Sequence, residues 1–201
     1  MTPSDIDLMA RVKDGDPGAF EELMRRYERP LLNYFYRQCW DRDLSEDCVQ
    51  EVFTRLYRHR AGYLATAKFT TFLFTIANHL WIDRARSRAR GPGEVSLHGG
   101  PDDASRGAGV EERLAAPEPG PADVVAGEEG LRRLKLAIDL LPEGQKAVLS
   151  LGHFQGLRYE DVAQILGIPV GTVKSRMHEA VRRLRESLLA PRASSEEDRR
   201  P

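Results

Sequence analysis

The chain has 201 residues, 41% of them hydrophobic and 30% charged, with a formal net charge of −1. That length holds one ordinary domain or two small ones, with modest cores and a well-hydrated surface. No apolar run approaches the ~18 residues of a membrane span. Met1 to Asp16 is polar and acidic and has no apolar signal-peptide core, so a cytoplasmic protein without membrane insertion is expected.

The net charge hides an uneven distribution. Residues 1–90 carry 15 Lys/Arg against 13 Asp/Glu, residues 91–130 carry 2 against 9, and residues 131–201 carry 13 against 9. Two mildly basic blocks thus flank an acidic middle, a pattern compatible with nucleic acid as a partner. Cys39 and Cys48 stand outside any CxxC pair or His/Cys cluster, which argues against a disulfide framework or zinc site and for plain buried thiols.

In chain order, Asp16-Pro17 reads as a helix start, an N-cap followed by Pro at the first helical position. The helix continues through AFEELMRRYERPLLNYFYRQC, with Pro30 inside it as a point of kinking or division. A second long helix is predicted after Leu44-Ser45 and a third from about Phe69 to Arg88. From Gly91 to Gly127 the sequence is rich in Gly, Pro, Ala and acidic residues and has no aromatic. Such a stretch buries too little apolar surface to offset chain entropy and reads as a flexible acidic linker.

Beyond it, helices are predicted over about Glu129–Leu141, Pro142–His153, Tyr159–Leu166 and Val170–Leu189, with Ala190 to Pro201 as a disordered tail. Period-two alternation is almost absent, so no sheet is expected. The fold class is all-α: an N-terminal helical bundle over 1–90, a linker over 91–127, a C-terminal helix-turn-helix domain over 128–190 and a tail over 191–201. The linker composition predicts that the relative orientation of the two domains is poorly fixed.

Three stretches carry candidate chemistry. In RYEDVAQILGIPVGTVKSRMHEAVRRLRESL a short helix, a Gly-containing turn and a longer helix make a helix-turn-helix pattern. Gly167 suits the left-handed cap that closes the first helix. At ~100° per residue, Val173, Met177, Ala180, Val181, Leu184 and Leu188 form the core stripe of the second helix. Lys174, Ser175, His178, Arg182 and Arg185 fall opposite. Recognition helices read base edges from their N-terminal residues. Lys174, Ser175, Arg176 and His178 are therefore candidate base or phosphate contacts, and Arg182, Arg183 and Arg185 candidate phosphate contacts.

In SEDCVQEVFTRLYRH, Val49, Val52, Phe53 and Leu56 form an apolar face, with Asp47, Gln50, Glu51, Thr54 and Arg58 opposite. Asp47 and Glu51 are like charges four residues apart, an arrangement that suits a partner wanting negative charge and equally fits a solvated face. In FTTFLFTIANHLWIDRARSRAR, Arg84, Arg86, Arg88 and Arg90 are too dense for core. A cationic helix end beside aromatic residues suits single-stranded DNA, or a solvated basic end.

These stretches resemble the sigma-70-type RNA polymerase sigma factors, in particular their extracytoplasmic-function subfamily. LPEGQKAVLSLGHFQGLRYEDVAQILGIPVGTVKSRMHEAVRRLRESL is similar to region four almost from end to end, with Arg158 where many relatives have a helix-capping Ser. The Asp-x-x-Gln-Glu-x-Phe helix and the basic helix after it are similar to region two. The resemblance implies a non-enzymatic protein without cofactor or metal that binds bacterial core RNA polymerase and directs it to promoter DNA. It carries Asp47, Gln50, Glu51 and Thr54 over as contacts to the clamp of the largest polymerase subunit. Asn78, His79, Arg84, Arg86 and Arg88 are carried over as −10 contacts, His79 standing where the family commonly has Asn. Thr172, Lys174, Ser175, Arg176, His178 and Arg182 are carried over as −35 contacts on a domain that also touches the polymerase flap. An anti-sigma protein is expected by the same analogy.

The competing readings are a helix-turn-helix regulator that never docks on polymerase, a sigma-like docking protein that has lost DNA binding, and an enzyme. The last is disfavoured because no P-loop, HExxH or zinc spacing occurs and the five His residues, at 59, 79, 98, 153 and 178, are scattered.

Overall fold

The computed structural model describes residues 3–65, 68–90 and 128–189. All regular structure among them is helical. The linker and tail expected from the sequence lie outside the described residues.

The first helix, α1 (Asp5–Lys13), was not expected from the sequence. It is built on a local capping box: Ser4 accepts from the Asp7 amide, and the Asp7 carboxylate accepts from the Ser4 amide. Its Leu8, Met9 and Val12 are buried. Helix α2 (Pro17–Cys39) starts at the Asp16 cap with Pro17 in the first turn, and runs through Pro30 without division. Helix α3 (Arg42–Arg58) begins a turn earlier than expected, because Asp41 accepts from the Leu44 amide at 3.0 Å. After a 3-10 turn at Arg60–Gly62, α4 (Phe69–Arg90) completes the N-terminal half.

An aromatic chain knits this half together. Tyr34 meets Phe35 and Phe74 edge-on, and Tyr27 and Tyr63 both pack on Phe69. Cys48 is fully buried and Cys39 half-buried, both as free thiols.

In the C-terminal half, α5 (Glu128–Asp139) and α6 (Glu143–Leu149) are followed by a π turn, Ser150–Phe154, where one continuous helix to His153 was expected. Helices α7 (Tyr159–Leu166) and α8 (Val170–Leu189) form the helix-turn-helix. Gly167 adopts φ 65°, the left-handed cap that its sequence position predicts. Val173, Met177, Ala180, Leu184 and Leu188 are buried as the stripe requires, with Val181 at its edge. Fully burying such side chains contributes roughly 1.5–3 kcal/mol each before the entropy of ordering them.

The two halves pack against each other, in contrast to the loose tether expected from composition. Helix α7 lies along α4, and the π turn lies on α2. The matched surfaces lie within residues 30–40, 68–76 and 139–161.

Candidate polymerase and DNA interface

The α3 candidates share one side of their helix. Asp47, Gln50 and Thr54 are exposed, and Glu51 is half-buried. The period of 3.6 residues puts 47, 50/51 and 54 in line while Cys48, Val49, Val52, Phe53 and Leu56 face the core. Glu51 accepts from Arg55 Nε at 2.8 Å, and the Arg55 guanidinium also approaches Asp83 of α4 at 3.8 Å. The Thr54 hydroxyl donates to the Gln50 carbonyl at 2.9 Å. The result is an acidic, polar strip on a braced helix.

Close to it is the basic end of α4. Arg86 and Arg88 are exposed and Arg84 is half-buried. Helix α3 packs along α4, and Arg55 of α3 approaches Asp83, the residue before Arg84, at 3.8 Å. An acidic strip and a basic helix end therefore adjoin on one side of the bundle.

The two residues at the expected base-capture position separate. His79 is exposed. Asn78 is only 4% exposed, and its side-chain oxygen accepts from the buried Tyr34 hydroxyl at 3.4 Å. The turn that presents His79 to solvent carries Asn78 into the seam between α2 and α4.

On α8, Lys174, Ser175 and His178 are exposed at the start of the helix, with Thr172 half-buried beside them. Ser175 donates to the Thr172 carbonyl at 3.1 Å. Arg176 is half-buried and lies over α6, where a side chain at Gly144 would come within 2.9 Å of the guanidinium. Arg176 thus braces α8 on α6 as well as flanking the polar face. Arg182 is exposed but engaged, bridging Glu179 at 2.7 Å and Glu186. Arg183 shares Glu179 at 2.8 Å, and the two guanidiniums hold the Glu179 carboxyl down to about 2. Arg182 and Arg183 thus share their charge with glutamates of the same helix, while Lys174 stands exposed at its start.

Sequence reasoning missed the residues that join the halves. The Lys68 ammonium and Asp161 carboxylate are 2.6 Å apart, and Thr71 donates to the same carboxylate at 3.5 Å. Gln38 donates to Ser150 at 3.4 Å, and Gln155 donates to the Pro30 carbonyl at 3.1 Å. Trp40 Nε1 donates to Asp139 at 2.6 Å, and Arg37 lies 4.2 Å from the centre of the Phe154 ring. Partners 90 or more residues apart leave no local pattern to read.

Fold and surface together define an all-α protein with a helix-turn-helix half and a bundle that juxtaposes acidic and basic helix faces. Two family descriptions match it: "Sigma-70 region 2" over residues 23–91 and "Sigma-70, region 4" over residues 131–184. The RNA polymerase sigma-H factor of Pseudomonas aeruginosa is 30% identical over 176 residues, covering 88% of this chain and 89% of that protein. The ECF RNA polymerase sigma factor SigW of Bacillus subtilis is 30% identical over 181 residues, covering 89% and 93%. Among solved structures, the sigma factor RpoE from Bartonella quintana, in complex with the anti-sigma factor NepR, aligns with a TM-score of 0.61. It is 24% identical, over 86% of this chain and 98% of that one, a likeness of fold. The chain belongs to the sigma-70 family, among its extracytoplasmic-function members, and is a polymerase-binding sigma factor of promoter-specific transcription initiation. Sigma factors of this kind are non-enzymatic regulators. No helix among the described residues is long and apolar enough to cross a membrane.

Proposed function

We propose that the work of initiation is divided among three surfaces of this chain. The strip Asp47, Gln50, Glu51 and Thr54 docks on the clamp of core polymerase. His79 with Arg84, Arg86 and Arg88 captures the −10 strand. Lys174, Ser175 and His178, supported by Thr172 and Arg176, read the −35 duplex, while Arg182 exchanges its glutamates for phosphates. The carrying observation is that the acidic α3 strip and the basic end of α4 adjoin on the N-terminal bundle, where Arg55 reaches from Glu51 toward Asp83, while the polar face of α8 belongs to the other half. One half can thus hold polymerase and melted DNA while the other reads duplex.

Each contact alone is weak, and joining them on one chain raises the effective concentration of the second event. Capture of an unstacked base offsets the unstacking cost of a few kcal/mol. Residues 1–90 form the first functional unit, 128–190 the second, and 91–127 the link between them. The chain itself performs no catalysis and works in the cytoplasm, where its polymerase and promoters are. The RpoE relative's complex with NepR supports an anti-sigma protein as a regulator here too.

The test is transcription with sigma-free core polymerase and a promoter library randomised at the −35 and −10 windows. Wild type yields defined start sites. The pair Asp47→Arg/Glu51→Arg yields none on any template, and Lys174→Ala loses selection in the −35 window only. A protein that selects duplex unaided but never yields a start site refutes the proposal.

A further inference from the structure

The face of α8 turned away from the core carries two carboxylates. At 3.6 residues per turn, Ser175, Glu179, Arg182 and Glu186 lie within about 60° of one another. The buried Val173, Met177, Ala180, Leu184 and Leu188 lie opposite. Ser175 and Arg182 of this face are proposed −35 contacts, and DNA phosphates repel carboxylates placed among them.

The carboxylates are bound to the arginines of the same face. Arg182 grips Glu179 through two bonds, from Nε at 2.9 Å and from Nη2 at 2.7 Å, and its Nη1 donates to Glu186. A two-bonded fork is the strong form of the arginine–carboxylate pair. Arg183 Nε donates to the same Glu179 at 2.8 Å. The two guanidiniums hold the Glu179 carboxyl down to about 2, so it is ionised at neutral pH. An arginine held in this way meets a phosphate only by giving up its glutamate.

We infer that Glu179 and Glu186 are specificity-determining residues of −35 recognition, which withhold Arg182 and Arg183 from the phosphates of unmatched duplex and release them on the matched one. This rests on the assignment of the α8 face to −35 DNA. Phosphate contacts carry no sequence information, so unmasked arginines would tighten every duplex alike. On a matched sequence Lys174, Ser175 and His178 seat the helix, and phosphates replace the glutamates. On an unmatched one the helix is not seated and the glutamates stay. One phosphate contact contributes about −0.9 to the slope of log affinity against log salt, which is about eightfold in affinity at 0.1 M salt.

The test uses the full chain bound to core polymerase, over a range of salt concentrations, on two short duplexes. One carries the −35 sequence that wild type selects from the promoter library, and the other carries that sequence scrambled. Glu179→Gln/Glu186→Gln keeps the size of both side chains on the solvent side of α8. It is expected to tighten the scrambled duplex at least about eightfold at 0.1 M salt and to steepen its salt slope by about 0.9 for each arginine released. The matched duplex stays within about twofold of wild type, because its arginines are already on phosphates. Glu28→Gln, at an exposed carboxylate of α2, controls for net charge and leaves both affinities at the wild-type value. Adding Arg182→Ala and Arg183→Ala to the double variant removes the gain. Equal tightening of both duplexes, no tightening of either, or a gain that survives loss of the arginines overturns the inference while leaving the −35 assignment intact. A wild-type complex that holds the two duplexes alike, or one whose discrimination is unchanged by Lys174→Ala, refutes the −35 assignment itself and the inference with it.

Discussion

Asp47→Arg separates an interface role from a folding role, because Asp47 is exposed on a helix whose core side is formed by other residues. The substitution removes the like-charge neighbour of Glu51, worth roughly 0.2–0.5 kcal/mol in its favour. It also brings a cation near Arg84 and Arg88, an opposing effect of similar size for screened surface charges. Net stability should stay within about 0.5 kcal/mol of wild type, as for exposed sites generally. At an interface selected for negative charge the same change juxtaposes like charges, at a cost of several kcal/mol. Taking ~2 kcal/mol as the lower bound, the Kd for core polymerase rises about 30-fold. Titration of dye-labelled chain with core polymerase, paired with a thermal melt, reads both quantities. A Kd within twofold of wild type refutes the assignment of the α3 strip. A weakened complex from a protein that has itself lost several degrees of melting temperature refutes the separation of roles.

Three further outcomes follow from local structure. Arg158 occupies the N-cap of α7 with extended backbone and no side-chain cap bond, so Arg158→Ser should add ~1 kcal/mol and raise the melting temperature by roughly 2–4 °C in calorimetry. Glu179 is depressed in the folded state by Arg182 and Arg183, so its contribution is present above the ordinary carboxylate range and lost as pH falls toward about 2. The stability gap between wild type and Glu179→Gln should thus be full at pH 7 and close between about pH 5 and 2, followed by circular dichroism. Cys48 is buried, with its thiol pKa raised chiefly by that burial, whereas Cys39 is half-buried. A thiol reagent at pH 8 should label Cys39 first and Cys48 only on unfolding, read by mass spectrometry of peptides.

The helix-turn-helix was legible in the sequence because its determinants are local: Gly167 for the left-handed cap and an apolar stripe from Val173 to Leu188. The Asp16-Pro17 start was legible for the same reason. Helix α1 carried a local signal too, the Ser4–Asp7 box, but its short polar stretch hides the burial of Leu8, Met9 and Val12. The placement of Asn78 was not legible in the same way. The family-like motif names it as a −10 contact without saying which way it faces, and its angular position beside Ala77 and Phe74 turns it into the seam with Tyr34. The contact between the halves was illegible, because no periodicity or capping rule links Lys68 to Asp161 or Gln38 to Ser150.

The most direct test of the division of labour is position-specific photo-crosslinking in an initiation complex. A photoreactive residue replaces Gln50 in one sample and Lys174 in another, both exposed positions. Complexes form with core polymerase on a promoter fragment labelled separately at −35 and −10. The expected result is a crosslink from position 50 to the largest polymerase subunit and from position 174 to −35 DNA. Crosslinks from position 50 to DNA alone, or none from position 174 to the −35 element, would contradict it.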